Sequence, residues 1–193
     1  MTRLQLNVLL WVLVAAAGLG AGALYLRENA PQTVGAALGG PFEMVDHDGN
    51  AVTEADLEGS PTLLFFGFTH CPEVCPTTVY EMAGWFDALG PEADGIKAYF
   101  VSVDPERDTP EMLKDYLESQ TDDIVGLTGT PEQMAGMARA WRVYYQRVPL
   151  DGGGYTMDHF AGVYMLDENG DYAGLISYGE AHDAAVEKIR GLL

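Results

Sequence analysis

Two strongly apolar runs constrain this chain most. "PTLLFFGFT" at 61–69 is continuous and rich in aromatic residues, and "IKAYFVSVD" at 96–104 is largely aromatic and β-branched, with polar residues only near its two ends. Segments of that length and make-up read as strands buried on both faces, and such strands belong to sheets covered on both sides by helices. The intervening sequence agrees. "TTVYEMAGWFDALG" (77–90) has apolar residues at helical spacing and stops at a glycine. "DTPEMLKDYLESQ" (108–120) offers Asp108 or Thr109 as N-cap with Pro110 in the first turn, and "TPEQMAGMARAW" (130–141) is capped by Thr130. "DIVGLTG" (123–129) reads as a short strand, and "RVYYQRVP" (142–149) as extended. Asp48-Gly49 marks a β-hairpin over 41–53, and Asn169-Gly170 a second within 155–179, read as two strands. "EAHDAAVEKIRGL" (180–192) closes the chain as a helix. The expected fold is a three-layer α/β domain with a mixed central sheet.

Ahead of that domain, residues 8–26 carry no charge. Nineteen helical residues span about 28 Å, the thickness of a bilayer's hydrocarbon core. Residues 1–27 therefore read as a tail and transmembrane anchor, 28–40 as a small-residue linker, and 41–193 as the folded domain. The run is longer than a signal-peptide core and no A-x-A site ends it. Arg3 and the amino terminus lie before it, and Arg27 is offset by Glu28, which favours a cytoplasmic N-terminus and a domain outside the cytoplasm. A formal net charge of -19 argues against a nucleic-acid partner. The D-x-D-x-N start at Asp46 is not a calcium loop, because Ala51 and Leu57 stand where Gly and Glu are needed.

The only two cysteines, Cys71 and Cys75, sit in "HCPEVCP", after the first buried strand and at the opening of a helix. Active groups of open α/β sheets gather at such strand ends. A helix N-terminus favours thiolate, and an i, i+4 spacing brings the sulfurs close enough for a disulfide, a redox couple or two legs of a metal site. A staple over so short a loop would constrain the unfolded chain little. A metal would need a third ligand. His47 reads as a turn residue and His182 as a solvated helix residue. His70 adjoins Cys71, so its side chain diverges and supports the site or faces a partner. His159, in "MDHFAGVY", follows the glycines 152–154 and is flanked by Asp158, which could orient an imidazole or face a partner. A lone histidine is more often structural than a ligand. Two thiolates with one imidazole would form a soft set suited to Cu(I) and able to hold Cu(II). Structural zinc wants a fourth protein ligand, and none is evident.

The stretches "GGPFEMVDHDG", "LLFFGFTHCPEVCPTT", "VSVDPERDTPEML", "VGLTGTPEQ", "ARAWRVYY" and "DHFAGVYMLDENGDY" resemble, in order, the Sco/SenC family of copper proteins that assist cytochrome c oxidase assembly. The resemblance implies a thioredoxin-like fold and copper held by Cys71, Cys75 and His159. It implies a membrane anchor, and a metallochaperone role toward the copper-site subunit of a terminal oxidase. It places Asp104, Arg107 and Asp108 in a stretch that supports the site or meets a partner. Phe160 departs from the small Ser or Thr expected there. A three-residue gap between the cysteines differs from the two-residue gap of thioredoxins. Thr69, two before Cys71, does not match the peroxiredoxin spacing. Thiol-disulfide reductase chemistry stays open beside the chaperone role, with periplasmic copper carriers or thiol reductants as further partners and the inner membrane facing the periplasm as the location. His159 is expected to be mobile without metal and drawn to the sulfurs with it, because the three glycines precede it.

Overall fold

The chain divides into two units, Met1–Ala36 and Ala37–Leu193. The computed structural model describes Gln5 and residues 38–193. The apolar run 8–26 lies outside the described residues, and among those described no helix is long and apolar enough to cross a membrane.

Nine strands and four α-helices make up the domain. In order they are β1 (Glu43–Asp46), β2 (Ala51–Thr53), β3 (Thr62–Gly67), α1 (Val74–Leu89), β4 (Lys97–Ser102), α2 (Pro110–Glu118), β5 (Val125–Thr128), α3 (Pro131–Ala140), β6 (Tyr145–Pro149), β7 (Tyr155–His159), β8 (Val163–Leu166), β9 (Tyr172–Ile176) and α4 (His182–Arg190). The main sheet runs β2-β1-β5-β4-β3-β8-β9. β3, β4 and β5 are parallel and joined through α1 and α2, while β1 and β8 pair antiparallel on either side. Every residue of β3 is buried, including Leu63, Leu64, Phe65 and Phe66. Both faces of the sheet's centre are therefore covered, as the continuous apolar runs required. Each fully buried Leu or Phe contributes about 1.5–3 kcal/mol of transfer free energy.

The helix starts follow the expected chemistry. Thr109 Oγ1 accepts the Met112 N–H, and Thr130 forms a reciprocal capping box with Gln133. One reading of 155–179 is corrected. It holds three strands, not two, because the chain breaks at Phe160–Gly162 and β7 leaves the main sheet to pair with β6. The Phe160 ring folds so closely over Gly162 that a Cβ there would lie 2.7 Å from it. The β6–β7 turn is carried by Gly152, Gly153 and Gly154, all at positive φ, where side chains are strained.

Sheet register decides what meets the cysteines. β8 runs antiparallel to β3, with Val163 opposite Phe65. The residues just before Val163 thus face the residues just after Gly67, which are the cysteine turn.

Candidate metal centre

Cys71 lies in a turn before α1 rather than inside it, since the residue before a proline, here Pro72, avoids helical backbone. Its N–H donates to the Phe68 carbonyl. Cys75 is the second residue of α1 and is fully buried. The sulfurs meet through this helix start, where the Cys75 N–H donates to Cys71 Sγ at 3.3 Å. Pro76 sits in the first turn, where its missing N–H has no helical partner to lose. Both cysteines are free thiols. The Cys75 thiol donates to Cys71 and so lowers the Cys71 pKa to about 4, helped by His159 and by backbone N–H groups against the cost of burial. The same hydrogen bond, with burial, pushes the Cys75 thiol up.

His159 is the last residue of β7. Its Nε2 lies 3.5 Å from Cys75 Sγ, and its Nδ1 lies 2.9 Å from the Phe160 carbonyl oxygen. A carbonyl can only accept, so Nδ1 donates to it and Nε2 is the nitrogen turned toward the sulfurs. The ring stands edge-on against Phe65 and Phe68, at centroid distances of 6.3 and 5.7 Å. These contacts seat the ring beside the cysteine turn. One ligand atom each from Cys71, Cys75 and His159 lies within 4.8 Å of the others, and this is the metal-capable trio among the described residues. Two sulfurs and one nitrogen make a soft donor set that fits a thiophilic ion.

Asp158 does not orient the imidazole. Neighbouring strand residues point to opposite faces, so Asp158 is turned outward, with Tyr144 Oη 3.4 Å from its carboxylate. His47 and His182 are away from the trio: the first accepts the Gly126 N–H and the second lies over Gly84. His70 is part-exposed, with Nδ1 3.0 Å from Thr69 Oγ1 and 3.7 Å from Asp108.

The carboxylates of the β4–α2 turn act behind the site. Asp108 is fully buried and accepts from Thr69 N–H, Thr69 Oγ1 and Ser102 Oγ at 3.1, 2.6 and 2.6 Å. Asp104 accepts from Arg107 Nε and from Tyr155 Oη, the latter at 2.9 Å. Tyr155 was missed from the sequence. Its signal was period two, which puts Tyr155, Met157 and His159 on one face of β7 once 155–159 is taken as a separate strand.

Comparison with known proteins agrees with this geometry. The family model SCO1/SenC matches residues 30–193. Arabidopsis thaliana "Protein SCO1 homolog 1, mitochondrial" is 37% identical over 158 residues, covering 81% of this chain and 46% of that protein. The SCO2-like protein of Rickettsia felis is 34% identical over 184 residues, covering 88% and 90%. The chain thus spans about half the length of the plant relative and most of the bacterial one. The copper-bound structure of Bradyrhizobium japonicum ScoI superposes with a TM-score of 0.76 at 43% identity, over 81% of this chain and all of that one. Copper-bound yeast Sco1 gives 0.75 at 32% identity, over 80% and 87%. A thioredoxin-like sheet bearing a cysteine turn at the end of β3 with a histidine brought against it, and a family match across the whole domain, make this chain a member of the SCO1/SenC family.

Proposed function

We propose that this chain is a copper metallochaperone, binding copper through Cys71, Cys75 and His159 and assisting maturation of the copper site of a terminal oxidase. The observation that carries this reading is the convergence of the three donors within 4.8 Å, in a family whose copper-bound members share the fold. Two thiolates hold Cu(I), and the imidazole adds the nitrogen that Cu(II) prefers. Residues 8–26 anchor the protein in the inner membrane with the domain in the periplasm, a reading supported by the length and charge flanks of that run. The test is an anaerobic titration with copper, followed by mixing with an oxidase copper-site fragment whose cysteines are already reduced. One copper per chain should bind and pass to the acceptor. Disulfide formation between Cys71 and Cys75 should abolish tight binding, because a disulfide offers no thiolate. Copper that never leaves for a reduced acceptor would overturn the chaperone role.

A second reading is favoured by the thiols themselves. Cys71, held near pKa 4 beside a buried partner thiol, is equipped to attack a disulfide through a mixed disulfide that Cys75 then resolves. Thiol exchange with an oxidised acceptor fragment, with no transfer of copper to a reduced one, would select this reductase role.

A further inference from the structure

A single turn reaches both halves of the metal centre. Between β4 and α2, the N–H groups of Arg107 and Asp108 both donate to the Asp104 carbonyl, at 3.0 Å each. The side chains of this turn then part. Asp108 points toward the cysteines. Its carboxylate holds both the N–H and the hydroxyl of Thr69, two residues before Cys71. Its other side-chain hydrogen bond goes to Ser102, and none reaches β6 or β7.

Arg107 points toward the histidine. Its guanidinium lies over the Tyr155 ring at 3.8 Å, donates to the Tyr155 carbonyl at 3.1 Å, and pairs through Nε with Asp104. Asp104 in turn takes the Tyr155 hydroxyl. Tyr155 is the first residue of the strand that His159 ends. Arg107 also lies over the Phe68 ring at 5.9 Å, and Phe68 is one of the two rings on which the imidazole stands. Both the strand that carries the histidine and a wall of its seat are therefore held by the same guanidinium. From the hairpin's other strand, Arg147 stacks on Tyr155 at 4.0 Å and pairs with Glu106 of the turn. β6 and β7 form a two-stranded sheet apart from the main one, and such a hairpin is not stable alone. These contacts, with the burial of Met157, hold it in place.

We infer that the Asp104–Asp108 turn positions the metal centre through two separate clamps: Asp108 fixes the cysteine turn, and Arg107 with Asp104 fixes the strand bearing His159. The histidine arm can then be loosened while the sulfur pair keeps its geometry. This rests on the three-residue copper site proposed above and adds to it the residues that set each arm. Arg107 and Asp108 are positioning residues, since neither touches the ligand atoms.

The test compares Arg107→Met, Arg107→Lys, Asp108→Asn and His159→Ala with the unaltered full chain. Cu(I) and Cu(II) are titrated separately. The ring-proton shifts of His159 are recorded by NMR in the metal-free protein, where the edges of Phe65 and Phe68 set them. Arg107→Met should weaken Cu(II) about 10–100-fold, as loss of a supporting partner does. It should leave Cu(I) unchanged and move the His159 ring shifts toward solvent-exposed values. Arg107→Lys should not restore them, because an ammonium lacks the planar face and the fork of donors. Asp108→Asn should weaken both oxidation states. If Arg107→Met fails to fold, Tyr155→Leu removes the same stack from the hairpin side. Wild-type ring shifts in the Arg107 variant, or equal losses for Cu(I) and Cu(II), would overturn the inference. Should His159→Ala leave Cu(II) binding untouched, the three-residue site is what fails, and the metal-free ring shifts still decide whether the clamp exists.

Discussion

Cys71 is half-buried, and its thiol is held down by the proton of Cys75, by His159 and by the amides at the start of α1. A thiol with its pKa lowered to about 4 stays a thiolate as pH falls from neutral and is protonated only near that value. Cys75, fully buried and pushed upward, stays a thiol across the same range. Alkylation of the metal-free reduced protein should therefore fall on Cys71 alone, with a rate nearly flat from pH 7 to 5 and dropping as pH passes about 4. Mass mapping of the alkylated peptide against pH makes the measurement. A rate that titrates like a free thiol, at a pKa of about 8.5, would mean that the hydrogen bond between the two sulfurs does not form. The split between a half-buried thiolate and a buried thiol serves both chemistries proposed here, since a thiolate is at once the ligand and the nucleophile.

Elements differ in how firmly they are held. β3 and β4 are buried throughout or nearly so and pair over six residues each. The β6–β7 hairpin has β6 largely exposed, and attaches by Met157, by Tyr155 with Arg107 stacked on it, and by the Arg147–Glu106 pair. Opening free energies follow buried contacts, so the two sheets should exchange hydrogen on different scales. Amides of 145–159 should exchange well before those of 62–67 and 97–102 in the metal-free protein. Copper should slow the hairpin selectively, because a ligand on β7 ties it to the cysteine turn. Mass spectrometry of exchanged peptides reads this directly. Hairpin amides as protected as β3 before copper is added would show that the arm is held as firmly as the core sheet and is not a separately opening unit.

The whole molecule carries a formal charge of -19. Among the described residues, ion pairs such as Lys114–Asp48, Arg147–Glu106 and Arg190–Glu92 lie at the surface, where water and salt screen them and each adds little. Net repulsion therefore outweighs them, and screening should help the fold. Raising salt from low ionic strength to the physiological level should raise Tm, measured on the reduced, metal-free protein. A fall in Tm would show that the ion pairs outweigh the repulsion. The same field predicts faster encounter, at low salt, with a partner whose docking face is basic.

Much of this was legible in the sequence because it depends on neighbours along the chain. Apolar runs marked β3 and β4, helical spacing marked α1, Thr109 and Thr130 announced their caps, and the cysteine pair stood at a strand-to-helix turn. Side-chain alternation within a strand is also local, and it would have turned Asp158 outward had 155–159 been separated from 163–166. What no local pattern could decide is the register of β8 on β3, which carries His159 across 84 residues to Cys75. Nor could it decide which carboxylate of the 104–108 turn serves which arm. Those answers come from pairing and packing between segments far apart in sequence, where only the folded chain determines the distance between two side chains.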